Sequence, residues 1–91
     1  MPVITIANTK GGAGKTTAAA LLAVEMSQCG HKVTVFDSDP QLWFSQWYES
    51  ARPRGAITLV NHVTPASLEN HIREMNTMAD YFIIDLAGER N

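Results

Sequence analysis

Val3-Ile-Thr-Ile-Ala-Asn-Thr-Lys-Gly-Gly-Ala-Gly-Lys-Thr-Thr17 opens the chain with a β-branched run, passes through three glycines and enters a stretch rich in Ala and Leu. Val3-Ile-Thr-Ile6 predicts a buried strand, because β-branched residues suit a pleated surface and the run stops at a Gly-rich turn. Thr16 to Cys29 holds no Gly or Pro and ends at Gly30, so it predicts a helix with a left-handed cap. A glycine-rich turn between a strand and a helix is the context a phosphate-cradling loop requires. Gly11, Gly12 and Gly14 let backbone N–H groups, that of Ala13 among them, converge on phosphate oxygens with no Cβ in the way. The helix's first turn adds unpaired N–H groups and the positive end of its dipole. In such a loop Lys15 would reach the β- and γ-phosphates, the Thr16 hydroxyl would coordinate Mg²⁺, and Thr17 would bond the α-phosphate. A chance match to the whole string in so short a chain is below roughly one in 10⁴, which disfavours a plain connecting turn.

Outward from that loop the pattern repeats. Val33-Thr-Val-Phe36 predicts a second strand, running into Asp37-Ser-Asp-Pro40. A helix is expected from Pro40, with Phe44, Trp47, Tyr48 and Ala51 on one face, until Arg52-Pro-Arg-Gly55 breaks it. Ile57-Thr-Leu-Val60 is a third strand. Thr64-Pro65 supplies an N-cap and a proline at the first helical position, and Leu68, Ile72, Met75 and Ala79 follow at helical spacing. Tyr81-Phe-Ile-Ile84 is the fourth strand. The order βαβαβαβ, with strands that are continuous apolar runs, predicts an α/β fold: a parallel sheet with helices on both faces. Right-handed crossovers bring the carboxyl ends of all four strands to one edge, where open α/β sheets bind ligands.

Composition sets the bounds. The 91 residues allow one domain, residues 1–91, with a small core. A hydrophobic share of 45% and a charged share of 18% exclude a disordered chain. The formal net charge of -2 lends no electrostatic support to nucleic-acid binding by this segment alone. The apolar runs are strand-sized, too short to span a membrane, and the start has neither the basic flank nor the cleavage site of a secretory signal. Cys29, the single cysteine, excludes an internal disulfide and fits a reducing, cytoplasmic setting. His31, His62 and His71 lack metal-ligand spacing, and Arg52, Arg54 and Arg73 are too dispersed for a nucleic-acid patch. The aromatic run Trp43, Phe44, Trp47, Tyr48 fits core packing better than base stacking, with Trp43 off the stripe and available to a partner.

The loop departs from the common G-x-x-x-x-G-K-[ST] string: Thr9 replaces its first glycine, and a second lysine, Lys10, is present. In this the sequence resembles the deviant Walker A ATPases, the ParA and MinD proteins and their relatives, within the P-loop NTPase fold. Asp37-Ser-Asp-Pro-Gln41 resembles the D-x-D-P-Q segment of the ParA branch, and the stretch through Trp47 to Arg52 is similar, more weakly, to compact plasmid and VirC1-type partition proteins. The resemblance implies ATP and Mg²⁺ as ligands and an ATP-dependent homodimer. Lys10 would contact the partner subunit's phosphates much as an arginine finger does, a contact worth on the order of 10³–10⁵ in rate. Asp37 would lie near the metal, Asp39 would help position the attacking water, and Asp85 would be the Walker B aspartate holding the metal's water shell. Gly88 would offer its N–H to the γ-phosphate. Capping of the second helix is the competing role for Asp39.

The resemblance covers Val3 to Gly88 and further implies a hydrolysis-stimulating partner protein, with DNA bound through regions beyond this chain and no membrane contact. Members of the family are longer, so the chain is expected to be the amino-terminal part of a ParA-like domain, with the edge of the sheet beside the first strand left unpaired. Partition of a plasmid or chromosome is the process implied. A MinD-like membrane-cycling ATPase is the alternative, made less favourable by Thr9 and the D-x-D-P-Q string, and a truncated, non-hydrolysing interaction remnant is another.

Overall fold

Among the described residues, four parallel strands form one sheet in the order β1-β4-β2-β3. The computed structural model describes residues 3–6, 13–38, 41–75 and 77–85, the side chains of 4–6 and 13–16 excepted. The elements follow the expected alternation: β1 (Val3–Ile6), α1 (Ala13–Gln28), β2 (Val33–Asp37), α2 (Trp43–Ala51), β3 (Ile57–Asn61), α3 (Pro65–Met75) and β4 (Tyr81–Asp85). β2 is buried at all five positions, as a central strand covered on both faces must be.

The two faces are packed differently. Val33, Val35, Ile57 and Ile83 meet α1 and α2 through Ala19, Ala20, Ala23 and Phe44, with Trp47 and Tyr48 against them. Ala19, Ala23 and Ser27 recur every four residues and are buried, so α1 lays a stripe of small side chains on the sheet and comes close to it. On the other face Phe36, Phe82 and Ile84 join Val63 and Ala79, covered by Leu68, Ile72 and Met75 of α3. Phe36 and Phe82 stack with ring centroids 5.4 Å apart.

Several element ends differ from the sequence expectation. α1 begins at Ala13 rather than Thr16, which brings Gly14, Lys15 and Thr16 into its first turns. It ends as expected, with Gly30 at φ 94. α2 begins at Trp43, not Pro40, because Leu42 is left-handed (φ 54) and resets the chain direction before the helix starts. Ala79 is buried in the second core but lies beyond α3, in the turn into β4. The α3 cap holds: Ser67 N–H donates to Thr64 Oγ1 at 3.1 Å, and Thr64 N–H donates back to Ser67 Oγ at 3.0 Å. At the amino edge of the sheet Asp80 ties two strands together, its Oδ2 accepting Lys32 N–H at 2.8 Å and its own N–H reaching Lys32 O at 2.7 Å.

Candidate nucleotide and metal site

All four strands run the same way, so β1 delivers the chain to the amino end of α1 at the edge where β2 and β4 also finish. Ile6 is in register with Asp85, and Asp85 is in register with Asp37. The two aspartates therefore sit side by side on neighbouring strand tips, about 4.8 Å apart at the backbone. Each is fully buried. Their side chains leave the sheet on the α1–α2 face, since Asp37 continues the odd-numbered series Val33, Val35 and Asp85 follows Ile83 by two.

Burying two carboxylates together is costly. At an effective dielectric near 20, like charges about 5 Å apart repel by roughly 3 kcal/mol. A shared cation offsets that repulsion, and the donor set suits Mg²⁺, which takes one or two carboxylates plus water and phosphate oxygens. No group of three or more His, Cys, Asp or Glu able to enclose a metal by protein ligands alone is present among the described residues. Asp37 is also tied into the fold. Its Oδ2 accepts from Ser45 N–H at 3.0 Å and from Ser45 Oγ–H at 2.8 Å, and Ser45 is itself buried. Ser45 is the third residue of α2, so Asp37 satisfies one of that helix's otherwise unpaired amides from a distance. Ser38 extends the β2–β4 junction, donating from both N–H and Oγ–H to Asp85 O at 3.1 and 3.0 Å.

The sequence-derived site residues divide as follows. Asp37 and Asp85 are brought together. Ala13, Gly14, Lys15 and Thr16 form the first turn of α1, by backbone position, and Thr17 follows them, exposed on the wall of a groove of about 410 Å³ between α1 and α2. Lys10, Gly11, Gly12, Asp39 and Gly88 lie outside the described residues. The competing role of Asp39 as a cap of α2 lies outside the described residues with it. The residue at the N-cap position is Leu42, without a side-chain cap bond, and the carboxylate that reaches the helix amides is Asp37.

Sequence reasoning missed Ser45. Its signal was a lone small hydroxyl beside Phe44, within the apolar stripe of α2 and three residues into the helix, a position where a buried donor needs a partner. The aromatic run packs as expected: Phe44 is buried and meets Trp47 edge to face at 5.2 Å, while Trp43 is 43% exposed on the α1–α2 groove.

The CobQ/CobB/MinD/ParA nucleotide-binding domain matches residues 4–79 of this chain. The chain belongs to that family. Among curated relatives, the protein ParA of Rhizobium radiobacter is 35% identical over 88 residues, covering 97% of this chain and 40% of that protein. A plasmid partition protein from Borrelia burgdorferi superposes with a TM-score of 0.76 at 21% identity, over 94% of this chain and 56% of its own. The pNOB8 ParA, solved bound to nonspecific DNA, gives 0.73 at 21% identity, over 99% of this chain and 47% of its own. At such identities the structural likeness is one of fold. This member of the CobQ/CobB/MinD/ParA family thus has a ParA-type α/β fold and spans about half the length of the structures it superposes on, or less.

Proposed function

We propose that this chain is the nucleotide-binding portion of an ATP-binding and ATP-hydrolysing dimeric switch of the ParA type, acting in plasmid or chromosome partition in the cytoplasm. The observation that carries the reading is the pairing of two buried carboxylates, Asp37 and Asp85, on the sheet face covered by the helix that carries Lys15 and Thr16. A helix amino terminus favours phosphate, and a buried acidic pair beside it favours the cation that accompanies phosphate. Family membership and the ParA relative support the same reading.

In this reading the backbone amides of Gly11, Gly12, Ala13 and Gly14 cradle the phosphates, with Thr17 at the α-phosphate and Gly88 at the γ-phosphate. Lys15 neutralises the β- and γ-phosphates, and Asp39 orients the attacking water. Thr16, Asp37 and Asp85 hold Mg²⁺. When bound there, Mg²⁺ would supply neutralisation of the charge that develops on the phosphates. Lys10 reaches the nucleotide of a second subunit, so dimerisation follows ATP. A partner protein stimulates hydrolysis, and DNA contact is assigned to the part of the family's length that this chain does not span. No helix among the described residues is long and apolar enough to cross a membrane.

Sedimentation velocity with Mg²⁺–ATP, paired with phosphate release, tests the proposal. The wild type is expected to dimerise only with ATP and to turn over slowly. Lys10→Ala should remain monomeric, and Asp39→Ala should dimerise without turnover. A dimer that persists in Lys10→Ala would remove the sandwich mechanism, and turnover undiminished in Asp39→Ala would leave Asp39 as only a cap.

A further inference from the structure

We infer that Ser45 is a positioning residue for the metal carboxylate Asp37, and that metal affinity at the site is thereby tuned from α2. The inference rests on the nucleotide reading above. Two donors of one residue converge on a single oxygen: Ser45 N–H at 3.0 Å and Ser45 Oγ–H at 2.8 Å, both to Asp37 Oδ2. Two bonds pin Oδ2, and because Cβ is held by the strand this also orients the other carboxylate oxygen; all three groups are out of water, Asp37 fully and Ser45 at 7% exposure. The backbone bond alone would serve as a cap. The hydroxyl bond is additional, and its geometry does the orienting.

The setting gives that orientation a consequence. Asp37 stands in register with Asp85, so a rotation of its carboxylate changes how the pair can share one cation. Ligating carboxylates are commonly held by a hydrogen-bonding neighbour, and loss of the neighbour lowers metal affinity by about 10–100-fold. Ser45 also lies next to Gln46 and two residues from Trp43, both on the α1–α2 groove, so whatever shifts the start of α2 shifts the donor.

Mn²⁺ binding to the chain in the presence of ADP, read by the paramagnetic resonance of free Mn²⁺, tests the inference together with ADP affinity in EDTA. Ser45→Ala should weaken Mn²⁺ by about 10–100-fold while leaving metal-free ADP affinity unchanged. Ser45→Thr, which keeps the hydroxyl, should restore Mn²⁺ affinity to within about threefold of wild type, a rescue that a cap acting only on stability would not produce. If Ser45→Ala does not fold, Ser45→Cys, with a weaker donor of similar size, should show the same selective loss. Wild-type Mn²⁺ affinity in whichever of these two variants folds would overturn the role of Ser45 alone. Failure of the wild type to bind ADP under any condition would overturn the nucleotide reading, and this inference with it.

Discussion

Asp37 has a structural role through Ser45 and, in the proposed function, a chemical one as a metal ligand, and the two can be separated by substitution. Its bonds to Ser45 are charge-assisted and buried, and such bonds contribute about 1.5–3 kcal/mol each to stability. Asp37→Ala strands both Ser45 donors but also relieves the repulsion from Asp85, so in urea titrations it should lower unfolding free energy by a net of up to about 3 kcal/mol. Asp37→Asn keeps an oxygen that can accept both, and should cost about 1–2 kcal/mol less than the alanine variant. Equal loss in the two would show that the carboxylate does not cap α2. Asp37 and Asp85 were legible in the sequence because each ends an apolar strand-sized run, and parallel topology sends such residues to one edge. Ser45 was not. Its partner is eight residues away, and the two meet only because a left-handed Leu42 delays the helix to Trp43.

Turns decide where the helices of this fold begin and end, and two glycines illustrate how differently they do so. Gly30 and Gly55 both have positive φ, 94° and 109°. A Cβ at Gly30 would meet nothing, whereas one at Gly55 would lie 2.6 Å from Ser27 Oγ and 2.9 Å from Ser27 Cβ. Ser27 is buried on the small-residue stripe of α1 and donates its hydroxyl to Val24 O at 3.0 Å, so it has little room to yield. Gly30→Ala should therefore cost only backbone strain, about 1 kcal/mol, while Gly55→Ala adds overpacking of a further 1–3 kcal/mol. Thermal unfolding of the two variants checks the order; a lower melting temperature for Gly30→Ala would contradict it. The sequence marked both glycines as breakers, yet the contact that separates them joins α1 to the turn before β3. Local pattern cannot show such an approach. The same limit explains Ala79, which keeps the helical spacing of Leu68, Ile72 and Met75 but reaches their core from a turn.

At the scale of the whole molecule, the alternation of elements predicted a parallel sheet but not its order, because order depends on which distant strands pair. β4, the last of the described strands, inserts between β1 and β2 and so places Asp85 between the end of β1 and Asp37. Among the described strands the same order places β1 at an edge, where Val3 is 45% exposed. An apolar residue on an open strand edge favours association between chains. Val3→Lys should raise the concentration at which light scattering reports self-association, and an unchanged threshold would show that this edge is not the adhesive one. What the sheet order achieves is one acidic edge built from residues far apart in sequence. The most direct test is calorimetric titration of ATP into wild type and Asp85→Asn, each with Mg²⁺ and with EDTA. Mg²⁺ should tighten wild-type binding by about tenfold or more, Asp85→Asn should lose that gain, and their affinities in EDTA should agree. Binding indifferent to Mg²⁺ in the wild type, or a full Mg²⁺ gain retained without the Asp85 carboxylate, would contradict the account.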